Sequence, residues 1–192
     1  MKIKNRKSIN ALSTRDFAPM AVDLFCGCGG LSVGLKKAGF HVVGAVDIDP
    51  LSIQTYKANH QDVRLWENDI RGLNPAELLK QLSLKKGELD LLAGCPPCQG
   101  FSMMRTLNGS VKVVDPRNDL LFEFERFVEA FFPRTVMLEN VPGLAEDERF
   151  FLFCKKMRKL GYKGDHRVLD AANYGVPQRR KRLIYLAGFG VE

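Results

Sequence analysis

Two prolines lead into a cysteine in the stretch Gly94-Cys95-Pro96-Pro97-Cys98-Gln99-Gly100-Phe101-Ser102. Each proline ring fixes a backbone angle, so the Cys98 thiol is presented from a stiff support. A cysteine near a buried strand is usually a small core residue. Cys98 instead stands past an apolar run, in a polar loop, where a thiol can react. A reactive thiol needs a depressed pKa or a neighbouring base. Cys95 and Cys98 also have the spacing of a metal or redox pair. Zinc would require a second pair of ligands at similar spacing, and the sequence has none, so no metal is expected. A thioredoxin-like redox pair is the alternative, which labelling both thiols would test. Five cysteines in all, an odd number, argue against a disulfide framework.

Other chemistry lies at the ends of apolar runs. Glu139 closes the run TVMLENV, where a carboxylate is costly without a partner or a task. The plain alternative is a strand-end acid capping the next turn. Arg179, Arg180, Lys181 and Arg182 precede the last apolar run. Strand alternation sends Arg180 and Arg182 to one side and Arg179 and Lys181 to the other. One pair can then face a site while the other faces solvent or phosphate. Near the start, Asp23-Leu24-Phe25-Cys26-Gly27-Cys28-Gly29-Gly30 places three glycines after a strand. That allows a sharp turn and a close approach to a ligand. The spacing is neither that of a dinucleotide fingerprint nor that of a phosphate-binding P-loop. Asp47 and Asp49 end the second apolar run, about 20 residues on, where an acid suits a ribose hydroxyl pair. Asp69 follows the third, either as a ligand group or as a helix cap. Glycine loop, acid and acid in that order favour an adenosine-containing cofactor.

The elements that must position these residues alternate. The pattern predicts strands over 20–25, 41–49, 63–65, 89–94, 135–141, 166–170 and 182–189. Between them it predicts helices over 31–39, 50–60, 75–82, 119–132 and 147–160. Repeated β-α-β units with continuous apolar strands mean an α/β fold, a doubly wound and mostly parallel sheet covered on both faces. Ligands of such sheets bind at the carboxyl ends of the strands, where the motifs fall. Residues 95–118 read as one long loop, and 1–19 as a basic arm outside the core 20–192.

The net charge is +7, which points to a polyanion, most commonly nucleic acid. A basic surface kept for solubility is the plain alternative. Phosphate contacts are expected through Lys155, Lys156, Arg158 and Lys159. No apolar run is long enough to span a membrane, and the basic start lacks an apolar segment behind it. A cytoplasmic, nucleoid-associated protein is therefore expected.

Together these residues resemble the bacterial DNA cytosine-5 methyltransferases, in family order, over essentially all of 20–189. DLFCGCGG is similar to the family's first motif, NDI (68–70) to its adenine-contacting motif, and GCPPCQGFS to its nucleophile loop. DPRNDLLFEFERFVEAFFP is similar to the fifth, ENV to the sixth and QRRKRL to the eighth. The resemblance implies the S-adenosylmethionine-dependent, Rossmann-like methyltransferase fold, with S-adenosyl-L-methionine as cofactor and DNA as partner, in a restriction-modification setting. It implies that Phe25, Gly27, Gly29, Gly30 and Pro97 shape the cofactor site. Asp47 would hold the ribose, and Ile48, Asp69 and Ile70 would border the adenine. Cys98 would add to carbon 6 of a flipped-out cytosine. Glu139 would bind the exocyclic amine and ring nitrogen 3, and Arg180 and Arg182 would orient base and nucleophile. The loop 99–116, with Ser102, Met103, Arg105 and Gly109, would close over the base.

Family members continue into a target-recognition lobe and two further motifs, the last completing the cofactor pocket. The chain is accordingly expected to be a fragment, or one subunit whose partner carries the C-terminal portion. Two other readings are open: a transfer RNA cytosine-5 methyltransferase on the same fold, and a truncated or split subunit inactive without its partner.

Overall fold

The structure is a computed structural model that describes residues 18–97 and 120–190. Seven strands form one sheet: β1 (Met20–Leu24), β2 (His41–Asp47), β3 (Arg64–Glu67), β4 (Leu91–Gly94), β5 (Thr135–Asn140), β6 (Tyr162–Asp170) and β7 (Lys181–Phe189). Among the described residues five α-helices intervene: α1 (Gly30–Lys37), α2 (Pro50–Asn59), α3 (Pro75–Gln81), α4 (Leu120–Phe131) and α5 (Glu148–Lys159).

The strand order is β3-β2-β1-β4-β5-β7-β6. Strands β1 to β5 pair in parallel, whereas β7 runs antiparallel to both neighbours. The reversal of β7 explains how a basic motif that precedes a strand joins motifs that follow strands. Its start faces the end of β5, with Leu183 opposite Asn140 and Ile184 opposite Glu139. The chain leaves β1 toward one edge and returns to β4 on the other side, so the switch point lies between β1 and β4. Crevices at such points are the ligand sites of open α/β sheets.

Two apolar layers cover the sheet. On one face Val22, Leu24, Leu92, Val136 and Leu138 pack against Phe124, Phe127 and Phe131 of α4 and Phe150, Phe153 and Met157 of α5. The α4 residues recur at helical spacing, and a fully buried Phe contributes about 1.5–3 kcal/mol. On the other face Ala21, Ala45, Leu91 and Ala93 pack with Leu35 of α1 and Tyr56 of α2. Caps set three helix starts. Asp49 accepts from the Ser52 N–H, Asn74 from Ala76 and Asp147 from Arg149, and prolines follow the first two caps.

Strand β6 starts four residues before its predicted range. Its sequence Tyr-Lys-Gly-Asp-His-Arg is too charged to read as a strand, and Lys163 through Val168 are exposed. Pairing with β7 along its whole length makes it a strand all the same. In α5 the chain runs back against β5, so Lys155, Lys156, Arg158 and Lys159 sit in its last turns, toward the amino edge of the sheet. That is the edge opposite the strand ends that carry the motifs. Lys156 is also engaged by Glu129 at 2.5 Å. No helix among the described residues is long and apolar enough to cross a membrane.

Candidate active site

The carboxyl ends of the first four strands open onto a cavity of about 390 Å³. Phe25 comes from the end of β1, Val46, Asp47 and Ile48 from β2, and Asn68, Asp69, Ile70 and Arg71 from the turn after β3. Cys95 and Pro97 come from the end of β4, and Leu120 from the start of α4. Six expected residues, Phe25, Asp47, Ile48, Asp69, Ile70 and Pro97, thus share one wall. Val46, Asn68, Arg71, Cys95 and Leu120 were not foreseen. They are visible only once β-strand ends from distant segments are brought side by side.

Local backbone chemistry explains the wall. Phe25 has φ of +61°, a left-handed conformation rare for a bulky L residue. The turn after it is tied down from the neighbouring strand. Cys26 N–H donates to the Val46 carbonyl at 3.1 Å, and Gly27 N–H donates to Asp47 Oδ2 at 2.7 Å. Asp47 Oδ1 accepts from the N–H groups of Ile48 and Asp49, both at 2.8 Å. Three backbone donors therefore fix this carboxylate, and it retains capacity for a further donor on the cavity side. Ile48 is largely exposed, an apolar side chain at the cavity mouth. Asp69 caps the short turn Ile70–Gly72 and forms a two-point ion pair with Arg71. Those hydrogen bonds hold its carboxyl below the ordinary range. Gly29 and Gly30 lie back from the cavity, at the turn into α1; Gly29 has φ of +93°.

A second group of side chains adjoins the cavity at Cys95. Glu139 closes β5, and its Oε1 accepts from Arg182 Nε at 2.8 Å. Each side chain of the pair is about one-quarter exposed, so the contact is partly shielded from water. The Cys95 thiol donates to Glu139, and burial beside that carboxylate pushes the thiol's pKa up. Cys95 is thus a protonated donor rather than a thiolate. Asn140 is buried and donates through Nδ2 to the Pro96 carbonyl at 2.9 Å, while its Oδ1 accepts from the Val141 N–H at 2.9 Å. It ties the end of β5 to the proline pair before Cys98. Arg180 does not join this group: it is exposed and contributes its backbone, its N–H donating to Asp170 Oδ1 at 3.0 Å. Cys98, and the loop residues Ser102, Met103, Arg105 and Gly109, lie outside the described residues.

The pattern described for the C-5 cytosine-specific DNA methylases matches residues 20–189. The chain belongs to that family. Among these methylases, the Type II methyltransferase M1.HphI of Haemophilus parahaemolyticus is 38% identical over 168 residues, 86% of this chain and 44% of that protein. The Type II methyltransferase M.AgeI of Thalassovita gelatinovora is 38% identical over 165 residues, 84% of this chain and 38% of that protein. The Type II methyltransferase M.AquIA of a Picosynechococcus strain is 32% identical; the match takes in 87% of this chain and 70% of that protein. A crystal structure described as a DNA modification methyltransferase encoded within an Escherichia coli prophage superposes with a TM-score of 0.75 at 32% identity. That superposition takes in 90% of this chain and 47% of the other. The chain therefore spans less than half the length of the first relatives it matches. Family and fold together imply a methyl donor.

Proposed function

We propose that the chain is the catalytic portion of an enzyme that methylates carbon 5 of cytosine in DNA, in a restriction-modification setting, with S-adenosylmethionine as donor. The observation that carries the reading is the Glu139–Arg182 pair, joined through Cys95 to a cavity walled by Phe25 and the strand-end acids Asp47 and Asp69.

The cavity fits the donor. Phe25, Ile48 and Leu120 offer apolar surface for an adenine, and Asp47 offers a carboxylate to ribose hydroxyls. When bound, S-adenosylmethionine supplies an electrophilic methyl group. Cys98 adds as thiolate to carbon 6 of the cytosine, and the electron pair of the 5,6 double bond becomes available at carbon 5. Glu139 holds the exocyclic amine and ring nitrogen 3, which eases that shift, and Arg182 fixes the Glu139 carboxyl. Carbon 5 would then take the methyl group, the electrons of the broken S–CH3 bond staying with the donor, which would depart as a neutral thioether. Carbon 5 then loses its proton to a base, the 5,6 double bond re-forms, and the Cys98 thiolate leaves. The reacting carbons are inaccessible in a stacked pair, so the base must be flipped out. Asn140 positions the support of the nucleophile through the Pro96 carbonyl.

The test is transfer of labelled methyl to duplex DNA and, in parallel, to transfer RNA. It is run with the chain alone and with a polypeptide carrying the region that longer relatives have beyond the match. Label on cytosine carbon 5 of DNA supports the reading. Label on transfer RNA alone, or on neither substrate in either setting, overturns it.

A further inference from the structure

Asp23 lies in the middle of the sheet, in β1, fully buried. An acid there is expensive unless it is hydrogen-bonded and put to use. Its Oδ2 accepts from Ser32 Oγ at 2.7 Å, and the Ser32 N–H also donates to its carboxyl. Ser32 Oγ meets the Tyr56 hydroxyl at 2.8 Å. With the Ser32 proton directed at Asp23, Tyr56 is the donor to Ser32. The other carboxyl oxygen, Oδ1, has no hydrogen-bond partner.

The geometry of α1 gives this carboxylate a task. Ser32 is in the first turn of α1, and the residue that should cap that helix, Gly29, has no side chain to do so. Gly29 cannot be exchanged for a capping residue. Its φ is +93°, and a Cβ there would stand 2.3 Å from His60 Nε2. The cap is supplied from beneath, by Asp23 reaching up from β1. The same turn carries Gly27, whose N–H is held by Asp47 of the cavity wall.

We propose that Asp23 is a positioning residue for the methyl-donor site: through Ser32 it holds the start of α1 and the glycine turn in the donor-binding shape, and it does so as a carboxylate. This rests on the reading of the cavity as the donor site. The groups that face Asp23 are Ser32 from α1, Tyr56 from α2, Asp47 from β2, Cys26 from the turn and Cys95 from the end of β4. None of these is cationic. Burial pushes the Asp23 carboxyl up to about 7, against the pull of the Ser32 hydrogen bonds, with Asp47 adding to the rise. Asp23 therefore exchanges its proton near neutral pH. The ionised form accepts both Ser32 donors, whereas the protonated form competes with them.

The experiment is calorimetric titration of S-adenosylmethionine into the full chain from about pH 5.5 to about pH 8.5, a range that brackets a neutral titration. Wild type, Asp23→Asn and Tyr56→Phe are compared, with Asp47→Ala as control. Wild-type affinity is expected to fall several-fold on the acid side of about pH 7. Asp23→Asn is expected to bind several-fold more weakly at pH 8 and to show no pH dependence. Tyr56→Phe removes support for the ionised form and is expected to move the wild-type midpoint upward. Asp47→Ala is expected to keep the pH dependence at lower affinity. A residue of purely structural role would change the melting temperature and leave the pH profile in place. A flat wild-type profile, or an Asp23→Asn profile that still bends near pH 7, overturns the inference alone. Absence of donor binding by folded wild type at every pH, both alone and with a polypeptide carrying the region that longer relatives have beyond the match, overturns both it and the reading of the cavity.

Discussion

At the scale of single residues, the proposed reading gives Cys95 and Cys98 different tasks. Cys95 is a half-buried donor to Glu139, a role that a serine hydroxyl can take over. Cys98→Ser is therefore expected to abolish methyl transfer, and Cys95→Ser to retain much of it. A duplex carrying 5-fluorocytosine should trap an adduct on Cys98, read by mass spectrometry of the digested complex. An adduct formed by the Cys98→Ser protein refutes the assignment. Glu139 was legible in the sequence because an acid that closes an apolar strand demands a partner. Asn140 beside it was passed over, since its value lies in reaching Pro96, a contact between segments 44 residues apart. Asp23 left a signal that sequence reading did not use, an acid inside an otherwise apolar strand. Its linkage to stability has a definite sign. Raised to about 7 by burial, the native carboxyl holds its proton where the unfolded chain has released it. Stability from this group is then greatest in acid and declines as pH rises from about 4 through about 7, by on the order of a few kcal/mol. Denaturant titrations of wild type and Asp23→Asn should differ by that slope. Parallel curves would remove Asp23 as its source.

At the scale of elements, the β-α alternation was legible because each strand is a short apolar run and each helix begins at a cap or a proline. The reversal of β7 was not, since nothing in Lys-Arg-Leu-Ile-Tyr-Leu-Ala-Gly-Phe encodes direction. Direction follows from how β5, β6 and β7 pair. That pairing also carries Arg182 to Glu139 and leaves Arg180 in solvent, a split that simple alternation had put on one side. The turn from β1 into α1 is the element most exposed to a small substitution. Gly29→Ala brings a left-handed backbone strain together with a Cβ that meets His60. It is expected to cost about 1–3 kcal/mol of stability and to weaken donor binding. Adding His60→Ala should return the steric share and leave the backbone share. If the double variant is no more stable than Gly29→Ala, His60 is not what confines the turn.

At the scale of the whole molecule, net charge and topology make different statements about DNA. A net charge of +7 favours a polyanion without fixing where it binds, and binding of a duplex through such charge is expected to weaken steeply with salt as phosphate contacts release counterions. Position decides which contacts serve the site. The four basic residues late in α5 face away from the strand ends, and Lys156 is occupied by Glu129. Arg179, Arg180 and Lys181 are exposed at the start of β7, next to the Glu139–Arg182 pair. On the proposed reading, a base delivered to that pair would bring its flanking phosphates toward these three. Glutamate substitutions at Lys155 and Lys159 are therefore expected to lower the affinity of the chain for any duplex, with the turnover of bound DNA unchanged. The same change at Arg179 and Lys181 is expected to lower both. If both positions contact phosphate, it should also reduce the slope of log affinity against log salt by about 2. Fluorescence anisotropy at several salt concentrations, with and without a cytosine in the duplex, measures the slopes. Single-turnover methylation by an assembly that includes the region longer relatives carry measures turnover. Base-specific contacts come from side chains in the grooves, whereas the charge contacts argued above go to phosphates, which carry no sequence information. The chain alone should accordingly bind duplexes of different sequence alike. Equal loss of turnover in the two charge variants, or a marked sequence preference by the chain alone, contradicts this placement of the DNA.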